Sequence, residues 1–510
     1  MLKYFNLSIK EVSCIGISYN SVEGLSVENF YKEELERYYE PINIPIFFIN
    51  HHIGHAYSAF FSSRFDEAII FIADGAGDYI NGMQEAESLF IAQNNKVEMI
   101  CRRLQNPTVG RMIDERNYIL PHMPSFIQDY EISLGKKYSQ ITHLIELGRN
   151  GEGKTMGLAG YGIPLFNYNA YKKGDFLDFS LKYKNIIEEI FAIRVLSGKS
   201  HKEFIRDERA NIACTTQLML ENTILSLLND VLKLYPCKNL VVAGGIFLNC
   251  LLNYKIIKKF DLNNFFALPS AGDDGQALGA AYYAFIKYFG LQNKFEINLP
   301  YLGISYNNRE IVESLERANL TYEYFTDDLL VKKIAERISS NKIVAIHRGK
   351  TEIGPRALCH RSILANPTNP NIKDILNYKV KHREPFRPFA PAVIAEEQSK
   401  YFDLKFESKF MNIATVVREE YKEQLPGITH IDGTARIQTV SIESEPFMHK
   451  ILMAVKQEIG FPIVVNTSFN DNGEPIVESP FDAIETFLKT QIDTLIIGNY
   501  LIDKIANKFN

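Results

Sequence analysis

The stretch "IPIFFINHHIGHAYSAFF" (44–61) changes its hydrophobic period in the middle. Ile44 to Ile49 reads as a short apolar strand. From His51 onward, Ile53, Ala56, Tyr57 and Phe60 recur at helical spacing. A strand feeding a helix is therefore predicted, with His51 and His55 one turn apart on one face. Residues four apart on a helix are close enough to share one metal ion, as in His-x-x-x-His zinc sites. Solvated histidines at the start of a helix are the competing reading.

The same alternation continues outward. "AIIFIADGAGD" (68–78), "TMGLAGYG" (155–162) and "LVVAGGIFLNC" (240–250) alternate short apolar strands and glycine turns with helices. That pattern indicates an α/β domain with ligands at the strand ends. "DERANIACTTQLMLENTILSLLNDVLKLY" (207–235) reads as one long helix, and "EINLPYLGISYNN" (296–308) as a linker. Beyond it come two helical patterns, then the strands "KIVAIHRG" (342–349) and "FPIVVNTSF" (461–469), framing a smaller α+β domain. The first segment, "MLKYFNLSIKEVSCIGISYN" (1–20), reads as the end of a helix, a turn and a strand from Ser13 to Ile17.

A chain of 510 residues is long enough for two or three domains with separate cores. A hydrophobic share of 46% and a charged share of 23% are those of an ordinary soluble globular protein. The formal charge of -5 provides no global attraction to nucleic acid or an anionic membrane. The six cysteines are scattered without a C-x-x-C pair, which argues against a disulfide framework or a thiolate zinc site and fits a reducing cytoplasm. Neither an 18-residue apolar run nor a cationic leader is present.

Two groups of residues point to chemistry. Asp74 ends an apolar strand before a glycine turn, and "PSAGDDGQALGAAYYAF" (269–285) places Asp273 and Asp274 at the start of a small-residue helix. The bland roles are turn formation and helix capping. Two imidazoles with such carboxylates would make a mixed N/O site suited to iron, manganese or zinc rather than calcium. Gly244 and Gly245 would let a nucleotide approach the backbone, and "EGKTMGLAGYG" (152–162) reads as a second glycine loop, with Lys154 available for phosphate.

The second group is cationic. Arg348, Lys350, Arg356 and Arg361 surround a Gly-Pro turn, and Lys381, Arg383 and Arg387 lie in a proline-stiffened segment. Arg436 and the polar run Asn466, Thr467, Ser468 and Asn470 follow. Guanidinium groups set among Gly, Pro, Phe and Ala need an anionic partner, and planar forks suit phosphate or carboxylate. A small phosphorylated or carboxylated ligand is predicted in preference to internal ion pairs.

In order along the chain, "HHIGHA", "ADGAGD", "EGKTMGLAGYG", "AGGIFLNC", "GDDGQALGAA", "GKTEIGPRALCHRSI", "KHREPFRPFAP", "DGTARIQTV" and "NTSFNDNGEPIV" resemble the NodU/CmcH-type O-carbamoyltransferases. The resemblance implies an actin-like ATPase-fold domain over 1–300, similar to the tRNA threonylcarbamoyl-transferring proteins, and a YrdC-like domain over 301–510. The YrdC-like half would make carbamoyl adenylate from carbamoyl phosphate and ATP with Mg2+. The first half would then move the carbamoyl group to a hydroxyl of a small molecule or glycan. By the same resemblance, His51, His55, Asp74 and Asp273, with Asp274 as the alternative, match the metal motif, and iron(II) is the expected ion. Arg356 and Arg436 match the family's carbamoyl-phosphate and nucleotide arginines. Lys381, Arg383, Ser468 and Asn470 match a K-x-R and S-x-N pattern. Gly244, Gly245 and Asn249 fall in the nucleotide loop. His52 is expected to be structural. No nucleic-acid or membrane partner is implied, and the oligomeric state is left open.

The sequence departs from the family in one conspicuous loop. The familiar G-R-M-E-F-G-P-R-A-L-G core reads G-K-T-E-I-G-P-R-A-L-C here, with Lys350 for Arg and Cys359 for Gly. Lysine keeps the charge and loses the fork. Relatives also open with a strand, a turn bearing a His-Asp pair and a second strand, which this chain's first residues do not match. By that comparison about 40 residues or more would precede them, and this form would be impaired in transfer. Two alternatives therefore stand beside an active transferase: a nucleotide- or metabolite-binding remnant, and tRNA threonylcarbamoylation.

Overall fold

The computed structural model describes residues 7–19, 27–39, 43–94, 96–105, 133–167, 171–172, 181–182, 186–290, 297 and 299–504. The chain divides into two compact units, Met1–Ile297 and Asn298–Asn510.

In the first unit β1 (Ile15–Tyr19) and β2 (Ile46–Asn50) pair in parallel, with α1 (Val27–Tyr38) between them in sequence. Helix α2 (His51–Ser62) follows β2 without an intervening residue. Then come β3 (Glu67–Ala73), β4 (Tyr79–Ile80), β5 (Met83–Gln93) and β6 (Lys96–Gln105). Helices α3 (Leu134–Leu144) and α4 (Glu152–Ala159), a ribbon of β7 (Tyr171–Lys172) and β8 (Leu181–Lys182), and helices α5 (Ile186–Ser197) and α6 (His201–Leu234) lead to β9 (Asn239–Ala243). Helix α7 (Cys250–Lys259), β10 (Asn264–Ala267) and α8 (Gln276–Phe289) complete the unit.

Among the described residues the main sheet runs β10-β9-β3-β5-β4, with β6 also on β5. Strands β3 and β9 are parallel, Ile69 opposite Leu240 and Ile72 opposite Ala243, so Asp74 and Gly244 emerge together at neighbouring C-terminal ends. Both strands are apolar and buried, as parallel strands covered on both faces must be. Helix α2 lays Ala56, Ala59 and Phe60 against Ile70, Ile72, Val241 and Ala243. Asn50 caps α2 by accepting the Ile53 N–H at 3.0 Å.

The second unit is built on a mixed sheet of β11 (Glu323–Tyr324), β12 (Val344–His347), β13 (Arg361–Ala365), β14 (Ala390–Ile394), β15 (Ile413–Val416), β16 (Thr434–Val440), β17 (Ile463–Ser468), β18 (Thr494–Ile497) and β19 (Tyr500–Asp503). Their order is β11-β19-β18-β12-β13-β17-β14-β16-β15. One-turn helices aside, its helices are α9 (Asn308–Arg317), α10 (Asp327–Ser339), α11 (Pro446–Ile459) and α12 (Pro480–Lys489). Leu330, Ile334 and Ile338 of α10 and Ile451, Leu452 and Val455 of α11 cover Val344, Ile346, Leu364 and Val464 of the sheet. A π-helical turn, Leu376–Val380, leads directly into Lys381.

Several expectations change. Segment 155–162 is not a strand or open loop. Its first residues close the helix α4, which packs on α6, and past the helix end Gly162 lies so close to α6 that a Cβ there would stand 2.0 Å from the Ala210 carbonyl oxygen. The first strand begins at Ile15 rather than Ser13, and before it lies a single 3-10 turn, Ile9–Glu11, closed by a Ser8–Glu11 capping box. The expected helix end before that turn lies outside the described residues. After Gly244 a 3-10 turn (Gly245–Leu248) precedes α7. No helix among the described residues is long and apolar enough to cross a membrane.

Candidate metal centre and anion-binding loops

His51 and His55 stand one turn apart on α2, and Asp74 follows β3 at the strand end they face. His51 Nε2 lies 3.1 Å from Asp74 Oδ2 and 3.3 Å from Asp273 Oδ1. His55 Nε2 lies 3.5 Å from each of the same two oxygens. One donor atom from each of the four residues falls within 4.8 Å of the others. A four- or six-coordinate ion with ~2.1 Å bonds separates adjacent donors by ~3.0–3.4 Å, so the spacing fits a first-row divalent ion. His55 is fully buried, and neither ring nitrogen has a hydrogen-bond partner among the described residues. Buried imidazole nitrogens are costly to leave unsatisfied, and a cation facing Nε2 removes that cost.

The electrostatics point the same way. Burial works against a charged His51, yet its hydrogen bonds to Asp273 and Asp74 raise its pKa to about 9. The neighbouring imidazoles of His51, at 3.3 Å, and His55, at 3.5 Å, pull Asp273 down to about 2. For Asp74 burial opposes ionisation, and the same two imidazoles outweigh it, holding the carboxyl well below its usual range. Two ionised carboxylates concentrate a negative potential on the imidazoles, and a metal ion would experience the same potential.

Residues around the cluster fix its donors. Gly245 N–H donates to Asp74 Oδ1 at 3.0 Å, leaving Oδ2 for the cluster. Gln276 donates to the His51 carbonyl at 3.0 Å and accepts from Ser18 Oγ at 2.6 Å. Asp78 Oδ2 accepts the His51 backbone N–H at 2.9 Å and the Asn50 amide at 2.7 Å, and that amide also reaches Glu85 Oε2 at 2.8 Å. Asp78 is the second acid of "ADGAGD", so the motif itself carries a signal for it that the spacing argument passes over; Asn50, Glu85 and Gln276 carry none. Asp274 lies outside the donor group, and burial pushes its pKa up. The neighbouring acid therefore has no part in the cluster. His52 turns to Ser88 Oγ at 2.7 Å.

The nucleotide candidates of this unit are engaged within the protein. Gly244 has φ +98, and a Cβ there would stand 2.1 Å from the Ala73 carbonyl oxygen, so the residue serves close strand packing. The Gly245 amide is given to Asp74. Asn249 caps α7 through the Leu252 N–H at 3.0 Å and exchanges amide hydrogen bonds of 2.9 and 3.1 Å with Gln217. Lys154 projects from a helix rather than a phosphate loop.

In the second unit, Lys381 joins two segments far apart in sequence. Its buried Nζ donates to Ser468 O and Asn470 O at 2.8 Å and to Asn470 Oδ1 at 2.5 Å, with Ser468 Oγ at 3.2 Å. An ammonium has three donors, and here protein oxygens take all of them. Lys381 is thus a brace between the K-x-R and S-x-N segments, its donors given to protein oxygens. Arg383 donates to Asn377 Oδ1 at 2.7 Å and stacks 4.6 Å from the centre of Phe389. Burial first, then the charges of Arg387 and Arg436, lower its pKa to about 9.

Other cations are committed internally. Arg348 donates to both Asp327 oxygens at 2.9 and 3.0 Å and lies 3.8 Å over Phe447. The fully buried Arg361 donates to the carbonyls of Arg348, Gly349 and His360 at 3.1 to 3.2 Å. For these two, internal pairing wins over the anionic ligand expected from their setting. Arg356 sits half-buried on the Gly-Pro loop, whose far end Glu352 holds: one oxygen, Oε1, accepts the N–H groups of Leu358, His360 and Arg361 at 2.8, 2.9 and 3.0 Å. Cys359, in the same loop, has φ +93, a left-handed conformation that suits the glycine of the familiar core.

Comparisons with known proteins agree with the motif order. The model of the carbamoyltransferase N-terminus matches residues 26–282, and that of the carbamoyltransferase C-terminus matches residues 335–504. An uncharacterized protein of Synechocystis sp. is 33% identical over 504 residues, covering 91% of this chain and 77% of its own. Nodulation protein NolO of Bradyrhizobium diazoefficiens is 31% identical over 462 residues, covering 89% and 79%. The 3'-hydroxymethylcephem-O-carbamoyltransferase of Streptomyces clavuligerus is 28% identical over 368 residues, covering 70% and 66%. With both halves matched and a relative above 30% identity along most of its length, this chain belongs to the NodU/CmcH-type carbamoyltransferase family and is a carbamoyltransferase.

Proposed function

We propose that the protein is an ATP-dependent O-carbamoyltransferase that passes a carbamoyl group from carbamoyl phosphate, through carbamoyl adenylate, to a hydroxyl of a small molecule or glycan. In this reading residues 301–510 form a YrdC-like domain that makes the adenylate with Mg2+-ATP. Residues 1–300 form an actin-like ATPase-fold domain that performs the transfer, and the reaction belongs to the cytoplasm. The observation that carries the reading is the match of the two carbamoyltransferase family models over 26–282 and 335–504, and it is supported by the buried Arg383 guanidinium, whose pKa burial lowers first and the like charges of Arg387 and Arg436 lower further. Like charges held together in a low-dielectric setting are stabilised by a polyanion, and this reaction brings two together.

The bonds balance as follows. Carbamoyl phosphate gives up its phosphate to water, leaving carbamate. A carbamate oxygen attacks the α-phosphorus of ATP, and pyrophosphate departs. Fixed guanidinium groups reduce the repulsion between the two anions and stabilise charge on the departing groups. The acceptor hydroxyl then attacks the carbamoyl carbon, AMP leaves, and the hydroxyl proton is released.

In the first unit, His51, His55, Asp74 and Asp273 would hold the divalent ion, iron(II) by family resemblance. When bound, such an ion supplies Lewis acidity, which lowers the pKa of an acceptor hydroxyl or polarises a carbonyl. Gly245 and Gln276 keep the Asp74 and His51 donors oriented. Mass spectrometry of products from ATP, carbamoyl phosphate and a panel of polyols and glycosides tests the reading. An acceptor heavier by one carbamoyl group is expected, formed only with both cosubstrates. Carbamoylation that proceeds without ATP contradicts it.

A further inference from the structure

His382 stands between Lys381 and Arg383 with φ +41, in the left-handed region that residues with a Cβ seldom occupy. Strain of this kind persists only where the surroundings enforce it. The N–H groups of Lys381 and Arg383 on either side are held by the Leu376 and Asn377 carbonyls at 2.8 and 3.1 Å, and the His382 side chain and carbonyl are held by the loop after β17. His382 Nδ1 lies 2.9 and 3.0 Å from the two oxygens of Asp471, and its carbonyl accepts the Asn472 amide at 3.1 Å. A carboxylate only accepts, so Nδ1 carries the proton. The same two loops are joined from the buried side by Lys381, which is 3% exposed, whereas the His382 side chain is 47% exposed. The K-x-R turn is therefore tied to the S-x-N loop twice, once inside and once at the surface.

We propose that His382 and Asp471 are positioning residues: a latch that holds the turn in its left-handed form and so sets where the Arg383 guanidinium stands relative to Ser468 and Asn470. Released, His382 relaxes toward ordinary backbone angles, and Arg383, the next residue, moves with it. Small displacements of a group that orients substrate reduce rate or affinity by far more than the hydrogen bond itself is worth. An exposed pair contributes little to global stability, so the latch acts on geometry and leaves the melting temperature nearly unchanged.

The test has two arms, of which only the kinetic one rests on the adenylate reading. Amide hydrogen exchange of residues 381–387 reads the latch directly. His382→Ala and Asp471→Ala are each expected to exchange about tenfold faster there than the wild type. In carbamoyl-phosphate-dependent pyrophosphate release, both variants are expected to raise the KM for carbamoyl phosphate about tenfold with a smaller effect on kcat. The double variant should be no worse than either single one. His382→Asn should recover most of the loss, because asparagine tolerates the left-handed region and its amide can donate to Asp471. Wild-type exchange in both alanine variants overturns the latch, as does additivity in the double variant. A wild-type enzyme that releases no pyrophosphate overturns the functional reading, and the exchange measurement still decides the latch.

Discussion

Gly54 of α2 and Gly279 of α8 meet backbone to backbone: a methyl group on Gly279 would stand 2.0 Å from the Gly54 carbonyl oxygen. That approach brings the start of α8, and with it Asp273, to the face of α2 that carries His51 and His55. Gly279→Ala therefore has no side chain to push aside, and the helices must separate. Overpacking of this kind costs roughly 1–3 kcal/mol. Calorimetry and metal analysis should show lower stability and weaker retention of a divalent ion together.

His55→Ala removes one of four donors, and most of the bound metal should be lost. Asp274→Asn should retain wild-type metal content, since that carboxylate lies outside the donor group. Elemental analysis of the two variants after identical purification distinguishes them. Equal metal content in His55→Ala and the wild type would sink the assignment.

Local structure around these sites was legible where period and punctuation agreed. The apolar runs before Asn50, Asp74 and Gly244 are strands, and the spacing after Asn50 is a helix. Glycine misled at 155–162, where small residues signal close helix packing as readily as a loop. Arginine also misled. The sequence shows that few acidic residues lie beside Arg348 and Arg361, but not that Asp327 and a set of backbone carbonyls wait for them in the fold. Glu352 was invisible for a related reason, because its partners are three backbone amides, which every residue has. The His382–Asp471 tie spans 89 positions, and no local pattern reports a contact of that range.

Cys359 offers a test of backbone strain. At φ +93 any Cβ is strained, by an amount on the order of 1–3 kcal/mol. The usual order, in which alanine is more stable than glycine by about 0.5–1 kcal/mol, should invert. Cys359→Gly is expected to unfold at a higher urea concentration than Cys359→Ala. The opposite order would show that the turn relaxes at no cost.

His347 should make the second unit sensitive to acid. Burial, then the Arg361 charge, lowers its pKa from 6.5 to about 3, and its Nε2–H donates to the Glu478 carbonyl at 2.8 Å. Between those two values the unfolded chain binds a proton that the folded chain does not. Stability is therefore fully present above pH 6.5 and is lost as the pH falls toward 3. The slope from this one group approaches ~1.4 kcal/mol per pH unit. His347→Gln keeps a donor for Glu478 and cannot titrate. The difference in urea stability between pH 7 and pH 5 should shrink by on the order of 1–2 kcal/mol in that variant. An unchanged difference would mean that His347 is protonated in the fold.

The division of labour between the two units is tested most directly by measuring pyrophosphate release and carbamoyl transfer side by side in His55→Ala and Arg383→Ala. His55→Ala should still release pyrophosphate in the presence of carbamoyl phosphate while losing its metal and the transfer step. Arg383→Ala should keep its metal and lose pyrophosphate release, since one charge-assisted contact in a site shielded from water is worth on the order of 2–4 kcal/mol. Loss of pyrophosphate release in His55→Ala, or its survival at the wild-type rate in Arg383→Ala, would contradict the account.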